Sequence, residues 1–316
     1  VMYLTKATVK EGNKLKLNKK IIADKHCIGG VPNNRTTILI TPIVAAAGIT
    51  MPKTSSRSIT SPSGTADTME VLSDISFNTN QMKKIIKKTN ACMVWNEGME
   101  ITGADSKLIK IRHPLRLDPP GLMIASILAK KSAVGATHLL LDIPIGKYAK
   151  VKTKKEAKIL KKRFEKISKI LKIKIKVIIT DGKQPIGNGI GPSLEARDIL
   201  RILKRDEKAP KDLEKKAIMM ADKIFKLTKT KASAKEILES GKAYEKFKEI
   251  VKAQKGNQNI KSKNINLGKY CHNYKSIKNG KIKEMNNKKI TTIARIAGAP
   301  NNKGAGVYLH KKLNEK

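Results

Sequence analysis

The stretch GLMIASILAKKSAVGATHLLLDIP, residues 121–144, decides the fold. Its first part, 121–135, has a helical pattern that runs out at Gly135. Its second part, 137–144, is a short apolar run of strand length. Helix followed closely by a β-like run is the repeating half of a βαβ unit. The same alternation extends to both sides. ACMVW at 91–95 reads as a strand before it, and IKVIIT at 175–180 as a strand after it. Between them, TKKEAKILKKRFEKISKILKIK at 153–174 spaces Ala157, Ile159, Leu160, Phe164, Ile167, Ile170 and Leu171 as one face of a helix, with lysines on the wet side. The chain is therefore expected to be α/β, with a mostly parallel central sheet flanked by helices. Ligands should lie near the loops at the carboxyl ends of the strands.

Outward from this block, helices are expected at 192–206, 210–227 and 233–256, then an Asn/Lys-rich linker near 255–265. In the tail, Asn279-Gly280 is a hairpin signal, and 288–312 reads as a strand followed by a Gly-rich loop, suggesting a small α+β module. At the other end, a helix-like opening meets a turn at Glu11-Gly12-Asn13.

Composition bounds the function. A chain of 316 residues with 40% hydrophobic and only 3% aromatic residues is globular with an aliphatic core. Cys27, Cys92 and Cys271 are widely spaced, which argues against a disulfide framework or a zinc site and for a reducing, cytoplasmic setting. No apolar run reaches bilayer-spanning length. The net charge of +41 fits a polyanion partner. Against nucleic acid, the lysines are spread along the chain and no base-reading motif accompanies them.

Two loops carry anion-binding chemistry. DKHCIGG at 24–30 sets Lys25 before a glycine pair, and glycines let backbone amides turn toward an anion. TSSRSITSPSGTADT at 54–68 has nine hydroxyl residues in fifteen around a single arginine. Short hydroxyls on a tight loop supply convergent donors to a dehydrated anion without bulk. The five histidines have no metal-ligand spacing, and His26 receives no firm role.

Together, residues 24–72 resemble the phosphate-binding region of the nucleoside phosphorylase family that includes thymidine phosphorylase. The second loop is similar to the form found in the archaeal AMP phosphorylase branch. The resemblance continues through IRHPLRLDP at 111–119, IASILAKKSAVGATHLLLDIP at 124–144, KVKT at 150–153, QPIGNGIGPSLEARDIL at 184–200 and GAPNNKGAG at 298–306. It implies a phosphorolysis in which inorganic phosphate attacks the anomeric carbon of AMP, releasing adenine and ribose 1,5-bisphosphate.

The resemblance also implies roles. Lys25, Thr37, Ser55 and Thr65 would hold the attacking phosphate. Gly30, Ser56, Arg57, Ser58, Ile59, Thr60, Ser61, Thr65, Ser126 and Lys150 would contact AMP, with Lys130 a further candidate one helical turn from Ser126. Asp118 would be the proton donor to the departing base, which requires a carboxyl kept protonated near neutral pH. Phosphate is a co-substrate, and no metal or organic cofactor is implied. The family also implies a homodimer or higher homo-oligomer, and longer chains at both ends than the one present.

The expected organisation is a helical-lobe remnant at 1–18, a phosphorylase core at 19–256 with a lobe segment inserted at about 103–133, and a partial C-terminal α+β domain at 257–316. Several positions depart from the family pattern: Cys27, Asn33-Asn34-Arg35, Pro62, Asn96-Glu97 and Tyr148-Ala149. Two alternatives stand beside this reading, a thymidine or pyrimidine nucleoside phosphorylase and an inactive, basic nucleic-acid-binding relative.

Overall fold

The computed structural model describes residues 2–11, 14–58, 61–96 and 119–316. The elements that build the sheet are β1 (Ala23–Cys27), α1 (Met2–Glu11) and α2 (Thr36–Ala46), then β2 (Met51–Ser55), α3 (Thr65–Met69), α4 (Thr79–Thr89) and β3 (Ala91–Trp95). They are followed by α5 (Pro120–Ala133), β4 (His138–Ile145), α6 (Lys154–Ile170) and β5 (Lys174–Asp181). Strand β4 pairs in parallel with β1 on one side and β5 on the other, and β2 pairs in parallel with β3. A parallel Ile22–Thr50 bridge and a 2.9 Å bond from Ala23 N–H to the Thr50 carbonyl join the two ladders. The order is thus β3-β2-β1-β4-β5, the parallel sheet the alternation predicts.

Helices cover both faces because the sheet is apolar on both. Every residue of β4 but the last is buried, as in a strand that meets helices above and below. Helix α2 is buried from Thr36 to Ala45 and packs among α8 (Lys211–Thr228), α9 (Ala234–Glu239) and α10 (Lys242–Ala253). On the opposite side, α6 buries Ala157, Leu160, Phe164 and Ile167 against β4 and β5. Ile159 and Ile170, expected on that face, are exposed, because the buried stripe is narrower than the apolar one.

The region 233–256 forms two helices rather than one. Gly241, at φ +79°, breaks it between α9 and α10. At the end of α10, buried Gln254 closes the free edge of β3. Its Oε1 accepts from Met93 N–H at 2.7 Å, and its Nε2 donates to the Met93 carbonyl at 2.9 Å. An unpaired strand edge inside the protein would otherwise strand these backbone groups.

The tail differs from its sequence reading in two places. Asn287–Ile296 is a helix, α11, because Asn286 caps it by accepting from the N–H groups of Lys288 and Lys289, and Ala294 turns into the core. No hairpin forms at Asn279-Gly280. Residues beyond the glycine bond instead to the end of the chain, with Ile282 N–H donating to the Glu315 carbonyl and Asn314 N–H to the Ile282 carbonyl. A short strand, β7 (Val307–Tyr308), pairs antiparallel with β6 (Gly189–Ile190), which leads into α7 (Pro192–Leu203). The tail is thereby tied to the core near the loops that carry the site. Among the described residues, no helix is long and apolar enough to cross a membrane.

Candidate active site

A cavity of about 400 Å³ opens at the carboxyl ends of β1, β2 and β4. Its first wall is the turn after β1. Gly29 and Gly30 take φ of +99° and +86°, the left-handed region that favours glycine. Gly30 is needed for a second reason: a Cβ there would lie 3.0 Å from the Ala149 carbonyl carbon and closer still to the Lys150 nitrogen. That close approach sets Lys150, from the loop after β4, on the rim of the cavity.

Lys25 is fully buried, and its Nζ donates to Thr36 Oγ1 at 2.7 Å. Burial lowers its pKa, opposed by nearby Asp142. Asp142 itself is held below the usual carboxylate range: burial raises it, but Lys216 at 3.2 Å, Lys25, Thr180 and Asn34 together outweigh burial. Cys27 acts here as an acceptor. Its Sγ takes Asn34 Nδ2 at 2.9 Å and Gly29 N–H at 3.4 Å, and burial keeps the thiol protonated.

The second wall is the hydroxyl-rich loop after β2. Asp67 organises it, accepting from the N–H groups of Ser58 and Gly64, both at 2.7 Å. Arg57 forks onto Glu70 at 2.6 and 2.8 Å, reaches Asp67 at 3.2 Å and lies 4.8 Å over the Trp95 ring. The hydrogen bonds to Glu70 raise the Arg57 pKa and lower that of Glu70. Arg57 thus staples its own loop while still lining the cavity. Ser61 Oγ accepts from Arg35, whose Nε is 2.6 Å from buried Glu195. Burial pushes Glu195 up to about 7 despite that partner. From the tail, Arg295 reaches Ser58 Oγ at 3.3 Å and the Ser61 carbonyl at 3.4 Å, and Lys303 pairs with Glu70 at 3.1 Å.

The third wall is α5, which contributes Met123, Ile127, Ser126, Lys130 and Lys131. Ser126 and Lys130 share a face as expected, with Lys130 Nζ donating to Ser126 Oγ at 3.1 Å. Met123 and Ile127 make this wall partly apolar, suited to the flat face of a base.

Of the residues assigned from sequence, Lys25, Gly30, Thr37, Ser55, Ser56, Arg57, Ser61, Thr65, Ser126, Lys130 and Lys150 all line this one cavity. Ser58 does not; its hydroxyl is turned back onto the Ser61 carbonyl. Ile59, Thr60 and Asp118 lie outside the described residues. Sequence reasoning missed Lys53, Lys131 and Arg35, which also line it, and Asp24 behind them. For Lys53 a signal existed: in a strand, positions i and i+2 share a face, which puts Lys53 beside Ser55. His26 lines the cavity as neutral imidazole, held there first by burial and then by Lys131, Lys53, Lys130 and Lys25. No carboxylate lines the cavity among the described residues. A cavity whose described lining is rich in cations and hydroxyls and holds no carboxylate is suited to anions.

The chain is 46% identical over 319 residues to the AMP phosphorylase of Thermococcus kodakarensis, covering 99% of this chain and 63% of that protein. It is 42% identical over 321 residues to a protein of Legionella pneumophila (strain Corby) provisionally named a thymidine phosphorylase, covering 100% of this chain and 61% of that one. The chain thus spans about three fifths of the length of these curated relatives. Among solved structures, anthranilate phosphoribosyltransferase from Thermus thermophilus shares the fold with a TM-score of 0.64 at 18% identity, covering 80% of this chain and 83% of that one. Residues 19–244, which hold the five-stranded parallel sheet and all of the described cavity lining, match the glycosyl transferase family, a/b domain, and the chain belongs to that family.

Proposed function

We propose that the cavity binds inorganic phosphate and a nucleoside 5′-monophosphate, with AMP as the preferred nucleotide, and catalyses phosphorolysis of the glycosidic bond. A phosphate oxygen forms a bond to the anomeric carbon as the bond from that carbon to the base nitrogen breaks. The electron pair leaves with the base, and Asp118 delivers the proton that neutralises it. The products are adenine and ribose 1,5-bisphosphate. The observation that carries this reading is a single cavity that joins the Lys25 turn, the hydroxyl loop and α5 and has no carboxylate in its described lining. Two anions must approach each other there, and a wall of lysines, arginines and hydroxyls lowers their repulsion.

Lys25, Thr37, Ser55 and Thr65 hold the attacking phosphate in this proposal. Lys150, fixed against Gly30, reads the 5′-phosphate. The reaction calls for no metal or organic cofactor. Three free cysteines support a cytoplasmic setting, and a homodimer or higher homo-oligomer is the expected assembly.

The test is to incubate the purified protein with AMP, CMP, UMP and the matching nucleosides in phosphate buffer and to measure free base by chromatography, with Asp118→Asn as control. Phosphate-dependent release from nucleotides, AMP first, and its loss in the variant support the proposal. Release from uridine or thymidine in preference to AMP identifies a pyrimidine nucleoside phosphorylase, as the name of the Legionella relative suggests. Absence of release from every compound overturns both.

A further inference from the structure

Behind the Lys25 turn lies a group of buried lysines that outnumber their acids. Lys25, Lys53, Lys131 and Lys216 are each no more than 8% exposed. The acids that pair with or act on them, among the described residues, are Asp24 and Asp142. Asp24, itself fully buried, is shared: its Oδ2 takes Lys131 Nζ at 2.6 Å and its Oδ1 takes Lys53 Nζ at 3.4 Å. Lys53 Nζ also donates to the Lys25 carbonyl at 2.8 Å. That leaves an ammonium with three donors one short of saturation, on the same strand face as Ser55 and at the cavity wall.

A surplus of two positive charges in a buried cluster is costly unless an anion answers it. Inorganic phosphate near neutral pH carries between one and two negative charges, and a cationic site favours the dianion. We propose that Lys53 is a direct ligand of the bound phosphate, that Lys131 supplies further counter-charge, and that Asp24 is the residue that positions both. This rests on the reading of the cavity as a phosphate site.

The groups facing Lys53 are Asp24, Lys25 and His26 from β1, Lys131 from α5, and Cys92 from β3. Burial keeps Cys92 a thiol and His26 neutral, so Asp24 is the single negative neighbour among them. Burial and Lys131 therefore draw Lys53 toward its neutral form, against the pull of Asp24. A dianion arriving beside it restores the proton.

The experiment titrates the purified protein and Lys53→Met with inorganic phosphate by calorimetry, in two buffers of different ionisation heat, alongside thermal melts without phosphate. Methionine keeps the length of the side chain and removes the charge. Lys53→Met is expected to bind phosphate about tenfold or more weakly, the loss of one charge-assisted hydrogen bond. It should also take up fewer protons on binding and melt no lower than wild type, because an apolar group replaces a surplus buried charge. A purely structural role predicts the reverse pattern, a lower melting temperature with unchanged affinity, and that result overturns the proposal. Wild-type protein that binds no phosphate overturns it too. Lys131→Met gives the same readouts independently should Lys53→Met fail to fold. Weakened phosphate binding in a protein that phosphorolyses no nucleotide leaves this inference standing and removes the proposed reaction. Unchanged binding with robust phosphorolysis does the opposite.

Discussion

Gly30→Ala separates a packing requirement from a purely conformational one. Position 30 has φ +86°, and a Cβ there meets the backbone of Ala149 and Lys150. Two costs follow. Placing an L side chain in the left-handed region costs roughly 1–2 kcal/mol. Restoring ordinary contact pushes the Lys150 backbone away by about 1 Å, since packed atoms repel steeply inside their contact distance. The first cost lowers Tm by roughly 1.5–3 °C for a chain of this size. The second displaces the ammonium proposed to hold the 5′-phosphate, and a shift of about 1 Å at a positioning group costs on the order of a hundredfold in rate.

Gly48 supplies the control. Its φ is +82°, but nothing lies within 4 Å of the Cβ that alanine would add. Gly48→Ala should therefore lose a similar few degrees of Tm and keep its kcat/KM. The assay is steady-state phosphorolysis of AMP with melts of both variants. If Gly30→Ala keeps the wild-type kcat/KM to within about twofold, or if Gly48→Ala loses as much activity, the coupling of Gly30 to Lys150 is refuted.

Two further predictions concern buried charge. Asp142→Asn leaves Lys216 and Lys25 without their shared acid and should destabilise the protein by about 3–5 kcal/mol, read by calorimetry as a Tm fall of roughly 5–7 °C; a fall under about 2 °C would show that Asp142 does not balance them. Lys53 has a folded-state pKa of about 7 against an ordinary value of 10.5, so across that window the unfolded chain binds the extra proton and the folded state gains stability as pH rises. Denaturant titrations from pH 7 to 10 should show the stability of wild type rising relative to that of Lys53→Met, and parallel curves would contradict the shift.

The sheet was legible where its strands are apolar. Residues 91–95, 137–144 and 175–180 announce themselves because their side chains meet helices. Strands β1 and β2, ADKHC and MPKTS, do not read as strands, although both lie in the middle of the sheet. Their polar residues are there for the cavity, and a functional strand hides from a hydrophobicity pattern. The tail shows the converse. ITTIARI is rich in β-branched residues, yet Asn286 caps it into α11, so one side-chain acceptor outweighs a β propensity spread over several positions. In the site, the two loops were readable because glycine pairs and hydroxyl clusters are local signals. Asp24, Lys53 and Lys131 were not, since their meaning lies in contacts between residues as far as 107 positions apart.

The grip of Arg295 and Lys303 on the hydroxyl loop has a consequence for biosynthesis. Ser58 and Arg295 are separated by 237 positions, so that contact forms only after the distant segment has been translated. During synthesis at roughly 5–20 residues per second, the β1–β5 sheet has about five seconds or more in which it can pair its strands before α11 leaves the ribosome. A nascent chain arrested in that interval would hold a folded sheet around an unfastened loop. Under the proposed function, competence to bind nucleotide would wait on the translation of α11.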